Sequence, residues 1–100
     1  MKTAFLIIGK QGSGKTTILD KIANIARYDK VIELSANQFL NGVLRDKTEL
    51  YLIDEANLED ALEIDKIVKD EEMSVVVTIQ YSDDALSTQF SSLKKILILG

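Results

Sequence analysis

The sequence contains neither cysteine nor histidine. Without cysteine, the chain can form neither a disulfide framework nor a thiolate metal site. Without histidine, it lacks the commonest general base, the usual zinc ligand and the base of a serine–histidine triad. Any chemistry at this chain must therefore use carboxylates, lysines, hydroxyls, amides, backbone N–H groups or a bound metal.

Long apolar runs and an excess of positive charge are also missing. No run approaches the roughly 20 apolar residues that cross a bilayer. The apolar stretch at residues 4–8 is too short for a signal peptide and favours a strand, so we expect a cytoplasmic protein with no membrane partner. The net charge of −4 provides no broad basic field for nucleic acid, although it allows a local basic site.

The 100 residues have the composition of one folded domain, with 46% hydrophobic and 28% charged residues. Short apolar runs alternate with helical patterns, which is typical of an α/β fold with a parallel sheet between helices. The predicted strands, all expected to be buried on both faces, are residues 4–8, 31–34, 50–53, 75–79 and 96–99. The predicted helices are residues 15–27, 36–44, 57–69 and 83–90, with Ser35 and Asn57 as caps of the second and third.

Residues 9–16, Gly-Lys-Gln-Gly-Ser-Gly-Lys-Thr, match the pattern G-x-x-x-x-G-K-[S/T] at every fixed position. Glycines allow the backbone to take positive φ and to curl its N–H groups around a phosphate. The helix predicted to begin near Lys15 adds unpaired amides and the positive end of its dipole. The side chain of Lys15 can reach the β- and γ-phosphates of a nucleotide, and the Thr16 hydroxyl can bind Mg²⁺. The predicted nucleotide-binding residues are Gly9, Gln11, Gly12, Ser13, Gly14, Lys15, Thr16 and Thr17.

The third predicted strand ends in two carboxylates, Asp54 and Glu55. A parallel strand delivers its last residues to the carboxyl edge of the sheet, where the glycine-rich segment also lies. Asp54 is therefore a predicted Mg²⁺ ligand together with Thr16. Glu55 is predicted to orient and polarise an attacking water. The alternative for both is an acidic turn that only caps a strand.

With these two motifs the chain resembles P-loop NTPases of the additional-strand, catalytic-glutamate division, which includes AAA+, RecA-like, superfamily 3 helicase and HerA/FtsK-type ATPases. Residues 9–16 resemble their Walker A motif, and residues 50–55 resemble their Walker B motif with its catalytic glutamate. The resemblance implies a three-layer α/β/α fold with strand order 5-1-4-3-2. It also implies a polar residue at the tip of the fourth strand that contacts the γ-phosphate or the water. Gln80 resembles the glutamine of RecA-like and HerA-like proteins, and Thr78 is the AAA+-style alternative.

The chain departs from these families in its arginines and in its length. Neither Arg27 nor Arg45 lies where AAA+ proteins carry an arginine finger, and both are expected to be solvated. Lys94 and Lys95 could act in its place from a neighbouring subunit, or they could simply be solvated. We expect a single minimal domain over residues 1–100 with no lid domain. Because the lid that walls the adenine pocket in AAA+ proteins is expected to be missing, binding should depend largely on the phosphates. The absence of the guanine-recognition motif N-K-x-D disfavours a GTPase.

The function expected from the resemblance is Mg²⁺-dependent ATP hydrolysis, with Lys15, Glu55 and Gln80 as catalytic residues. By fold-level analogy alone, such an ATPase would act on DNA or on a protein, and it could form a homo-oligomer. One alternative is a nucleotide-binding regulator or assembly module with little turnover. Another is a small-molecule kinase, which is disfavoured by the presence of Glu55 and the lack of an arginine cluster.

Overall fold

The computed structural model describes residues 3–25 and 27–98. The elements in chain order are β1 (Ala4–Gly9), α1 (Lys15–Ile25), β2 (Val31–Leu34), a π-helical turn (Gln38–Gly42), β3 (Leu50–Ala56), α2 (Leu58–Glu71), β4 (Ser74–Gln80), α3 (Asp83–Ser87) and β5 (Lys94–Leu97). The predicted alternation of strands and helical segments is confirmed. No helix in the described part of the chain is long and apolar enough to cross a bilayer.

The strands form one five-stranded sheet in which all neighbouring pairs are parallel. Its order is β5-β1-β4-β3-β2, so the predicted order is confirmed. Strand β4 lies between β1 and β3. The carboxyl ends of these three central strands therefore meet at one edge of the sheet.

Successive residues of a strand point to opposite faces, and the core divides accordingly. On one face, α2 packs against apolar residues of the central strands, including Leu6, Ile53 and Val77. On the other face, α1 packs through Leu19 against a second set that includes Ile7, Leu52 and Val76. This arrangement is compatible with a three-layer α/β/α fold.

The expectation that every strand is buried on both faces is wrong for the two edge strands. All four residues of β5 are exposed, and β2 is at most partly buried. Each edge strand has a neighbour on one side only, so helices cover it less completely. β5 also begins two residues earlier than the predicted 96–99, and Leu99 lies outside the described residues.

The second predicted helix, residues 36–44, is helical to residue 42, where residues 38–42 are π-helical, and it is wrong for its last two residues. Ser35 does cap its first turn, because its Oγ accepts a hydrogen bond from the Gln38 N–H at 3.2 Å. The helical turn then ends at Gly42, and Leu44 is 99% exposed. The predicted apolar face therefore stops contributing to the core after Leu40.

Arg45 accounts for this early end. Its guanidinium donates hydrogen bonds to the carbonyl oxygens of Phe39 (2.9 Å) and Leu40 (3.3 Å), groups that the next turn of a longer helix would otherwise use. It also forms a salt bridge with Glu71 of α2 at 3.0 Å, and only 19% of its side chain is exposed. The expectation that Arg45 is a solvated charge is therefore wrong.

The other helices differ from prediction only at their ends. Asn57 caps α2 as predicted, since its side chain accepts from the Asp60 N–H at 2.7 Å. Helix α3 ends at Ser87, before the predicted Phe90, because the N–H and the hydroxyl of Thr88 both bond to the Asp84 carbonyl. Helix α1 is described to Ile25; Ala26 lies outside the described residues, and Arg27 is not helical.

Candidate functional site

The site is built on the glycine-rich loop, the name used below for residues 9–16, which joins β1 to α1. Gly12 and Gly14 have φ values of 81° and 93°, a region that side-chain-bearing residues rarely adopt. Gly9 serves a different need, because a Cβ atom there would lie 2.5 Å from Ser13 Oγ. The expected positive φ is thus confirmed at Gly12 and Gly14 and wrong at Gly9, where close packing requires the glycine.

Lys15, the first residue of α1, turns back towards the tips of β1 and β4. Its Nζ donates to the Gly9 carbonyl at 2.6 Å and to Gln80 Oε1 at 3.3 Å. The side chain is 6% exposed, so its aliphatic stem is packed while its ammonium group reaches the carboxyl edge. The lysine and Gln80, which lie 65 positions apart in the sequence, therefore meet at one point.

Thr16 and Asp54 bring two oxygen ligands together beside this lysine. Thr16 Oγ1 donates to Asp54 Oδ2 at 3.3 Å, and both residues are exposed. Hydroxyl and carboxylate oxygens are the donors that Mg²⁺ prefers, and this ion usually completes its shell with waters and substrate phosphates. The pair therefore fits a Mg²⁺ ion that is also held by a phosphate. Across residues 3–25 and 27–98, no group of three or more acidic side chains is placed to hold a metal by itself.

Glu55 follows Asp54 in an unusual backbone conformation. Its φ is 55°, in the left-handed region, and the register between β3 and β4 shifts between Ile53 and Ala56. The Glu55 N–H donates to Thr78 Oγ1 at 2.8 Å, and the same hydroxyl donates to Asp54 Oδ1. Thr78 is fully buried. It therefore lies beneath the two carboxylates instead of at the tip of β4, the position occupied by Gln80.

Two adjoining cavities open between these groups. The first, of about 310 Å³, is lined by Gln11, Gly12, Gly14, Lys15, Thr16, Thr17 and Glu55. The second, of about 270 Å³, is lined by Gln11, Glu55, Ala56 and Gln80. They share Gln11 and Glu55, so the space over the glycine-rich loop continues to the tip of β4.

Most of the predicted site residues thus surround one space. Gly9, Ser13 and Asp54 do not line it. Gly9 supplies its carbonyl oxygen to Lys15, Asp54 is bonded to Thr16, and Ser13 Oγ is enclosed with no hydrogen-bond partner within the described part of the chain. The geometry also adds a residue whose role sequence reasoning misplaced, Thr78. Its signal in the sequence is a single hydroxyl in an otherwise apolar run, residues 75–79.

Lys94 and Lys95 lie away from this site. They pair with Phe5 and Leu6 near the start of β1, towards the opposite edge of the sheet. Lys95 Nζ donates to the Leu86 carbonyl at 2.6 Å. Neither lysine can serve this chain's own site from there, and action on a neighbouring subunit stays a prediction.

A larger cavity, of about 840 Å³, lies elsewhere, beneath α1 at the amino ends of the strands. Apolar residues such as Phe5 and Ile22 line it together with charges of both signs, including Arg27 and Glu72. None of the predicted site residues lines it. Size alone therefore does not identify the candidate site. The site is identified because a lysine, a hydroxyl, two carboxylates and an amide lie together at the carboxyl edge of the sheet.

A scan of the chain against protein-family models finds no match, and neither does a search of curated proteins.

Proposed function

We propose that this chain binds ATP at the glycine-rich loop and hydrolyses its γ-phosphate in the presence of Mg²⁺. One observation carries the proposal: Lys15 and Thr16 of α1, Glu55 of β3 and Gln80 of β4 line one continuous space, and Asp54 of β3 is hydrogen-bonded to Thr16 beside it. A turn with only a structural role would not need a nearly buried lysine aimed at the same edge as two carboxylates.

The phosphates would be bound by the loop amides and by Lys15. The amides near the start of α1 carry the positive end of its dipole, which favours an anion at this position. Lys15 Nζ now bonds to two neutral oxygens, of Gly9 and Gln80, and phosphate oxygens are stronger acceptors. Thr16 and Asp54 would hold Mg²⁺, which when bound neutralises charge on the phosphate oxygens.

In this proposal, Glu55 and Gln80 act on the attacking water. Both line the second cavity, which adjoins the one over the loop. In this proposal the Glu55 carboxylate accepts a proton from a water molecule whose oxygen attacks the γ-phosphorus, yielding ADP and inorganic phosphate. The Gln80 side chain, 3.3 Å from Lys15 Nζ, contacts the same water or the γ-phosphate. A positioned general base typically contributes about 10²–10⁴ in rate.

The two sequence motifs and the strand order together support membership of the additional-strand, catalytic-glutamate P-loop NTPases. The proposal also includes a cytoplasmic location, a homo-oligomer and, by fold-level analogy, a DNA or protein partner.

A specific observation favours the second candidate, a nucleotide-binding regulator with little turnover. The two arginines are engaged or placed elsewhere: Arg45 is paired with Glu71, and Arg27 lines the cavity at the opposite edge. An arginine finger typically raises phosphoryl-transfer rates by about 10³–10⁵, so slow intrinsic turnover is expected until a partner supplies that charge.

Calorimetry of ATP and ADP binding with Mg²⁺, together with phosphate release on the same samples, separates these functions. We expect Lys15→Ala to weaken nucleotide binding at least about 100-fold, and Glu55→Gln to keep binding but lose at least about 100-fold in turnover. Lys21→Ala on the exposed part of α1 and Glu63→Gln on the exposed part of α2 are the matched controls. Binding without turnover in the wild type supports the regulator, and a wild type that binds no nucleotide contradicts both functions.

A further inference from the structure

Thr78 makes a pair of contacts that a buried strand residue does not need for packing. Its hydroxyl accepts from the Glu55 N–H at 2.8 Å and donates to Asp54 Oδ1. A hydroxyl has one hydrogen to donate, so that donor is committed to the carboxylate of Asp54. The Thr78 side chain is fully buried, so each bond is shielded from water on the Thr78 side, while Asp54 and Glu55 themselves are exposed.

The second of these partners, Glu55, has a backbone conformation that is costly for any residue except glycine. Its amide belongs to the irregular part of β3, where two residues, Asp54 and Glu55, lie opposite a single residue of β4, Thr78. Such a bulge changes the direction of a side chain and leaves the extra residue outside the regular ladder of hydrogen bonds. The bond to Thr78 Oγ1 gives this amide a partner that the ladder does not supply.

The first partner, Asp54, is held from two sides. Thr78 Oγ1 occupies one carboxylate oxygen, Oδ1, and Thr16 Oγ1 bonds to the other, Oδ2. With Oδ1 fixed from below, Oδ2 is directed towards Thr16 and the loop. One buried hydroxyl therefore contacts both a candidate metal ligand and the backbone of the candidate base that follows it.

We propose that Thr78 is the positioning residue of the acidic pair: it aims Asp54 Oδ2 at the Mg²⁺ position beside Thr16 and holds the bulge that turns Glu55 into the cavity. The inference rests on the proposed function. Thr78 contacts neither the cavity over the loop nor Lys15, so its effect is expected on the metal and not on metal-free phosphate binding.

Thr78→Val is the informative variant, because it keeps the β-branched shape in a strand that already contains Val75, Val76 and Val77. Losing a partner that orients a metal ligand typically costs about 10–100-fold in metal affinity. We expect the Mg²⁺ concentration that half-saturates ADP binding to rise by about that factor. The affinity for ADP without metal should stay within about threefold of the wild type, because the loop and Lys15 are untouched.

Thr78→Ser keeps the hydroxyl and is expected to restore the wild-type Mg²⁺ dependence. Thr88→Val is the matched control, since it removes a threonine hydroxyl that donates to the Asp84 carbonyl and not to the acidic pair. Amide exchange measured by NMR gives a second readout: Thr78→Val should accelerate exchange at the Glu55 N–H, and Thr88→Val should not.

A wild-type Mg²⁺ dependence in Thr78→Val overturns the inference, even if the Glu55 amide exchanges faster, because Thr78 would then be only a structural residue. A loss that Thr78→Ser shares to the same extent also overturns it. A wild type that binds no nucleotide is a different result, since it removes the proposed function itself. If the wild type binds nucleotide normally, a negative result with the variants contradicts only the role of Thr78 and leaves the proposed function intact.

Discussion

At the scale of single residues, the glycine-rich loop has two physical requirements. Gly12 and Gly14 are needed because of their backbone angles, whereas Gly9 is needed because of its neighbour, the enclosed hydroxyl of Ser13. A motif that shows three glycines does not reveal this difference. Strain from a neighbouring atom can be relieved by removing that atom, whereas strain from a positive φ cannot be relieved in this way.

Gly9→Ala is therefore expected to be rescued by a second change. Alone, its Cβ would meet Ser13 Oγ at 2.5 Å, so the loop must shift, and ATP affinity should fall by about 10-fold or more. Adding Ser13→Ala removes the oxygen and should recover most of that loss, with Ser13→Ala alone close to the wild type. Calorimetry on the four proteins of this double-mutant cycle measures the coupling. If the two losses simply add, the clash is not the reason for Gly9.

At the scale of elements, a buried carboxylate of α2 holds the loop that leads into β5. Residues 54–72 carry nine carboxylates, a pattern that predicts a solvated helix face. Asp65 is the exception: it is 4% exposed and accepts backbone N–H groups from Ser91 (2.8 Å), Ser92 (2.8 Å) and Leu93 (2.9 Å). These bonds attach the segment that leads into the exposed edge strand β5 to helix α2.

Asp65→Asn is expected to destabilise the fold by about 2–4 kcal/mol, because an amide can replace only part of these bonds and leaves buried N–H groups without acceptors. Urea unfolding of the variant and the wild type measures the difference. Glu63→Gln, on the exposed part of the same helix, should change stability by less than about 0.5 kcal/mol. Equal unfolding midpoints for the two variants would show that the contacts to β5 contribute nothing to stability.

At the scale of the whole molecule, the candidate site lies where the carboxyl ends of the three central strands meet. The loop continues β1, the carboxylates end β3, and Gln80 ends β4, the strand that pairs with both of the others. A ligand held by all three would bind the folded chain and not the unfolded one. Binding should therefore be visible as global stabilisation.

A Mg²⁺–ATP concentration of about 100 times Kd should stabilise the fold by about 2.7 kcal/mol and raise Tm by roughly 10 °C or more for a chain of this size. GTP should act to within about 3 °C of ATP, because among the described residues no aromatic or apolar side chain lines the cavity over the loop. Calorimetric or fluorescence melting checks both statements. Lys15→Ala should show neither shift, and a large preference for one base would mean that recognition extends beyond the phosphates.

Sequence alone was sufficient wherever a property is local or periodic. The parallel α/β order follows from apolar runs separated by helical spacing, and the caps Ser35 and Asn57 follow from side chains that reach amides three residues ahead. Lys15, Thr16, Asp54 and Glu55 could be named as site candidates because phosphate and metal chemistry restrict which residue types can serve at that spacing. The resemblance to a known division supplied the strand order, which local pattern does not fix.

Only the tertiary structure decided the features that depend on contacts between distant residues. Arg45 ends a helical turn that its apolar spacing would continue, Asp65 is buried although it belongs to an acidic segment, and Thr78 joins two strands beneath the carboxylates. In each case a side chain satisfies backbone or carboxylate groups on another segment. A sequence shows which hydrogen bonds a residue can make. The segments that pack against the residue decide which of these bonds form, because a buried polar group must be hydrogen-bonded to a neighbour that the fold provides.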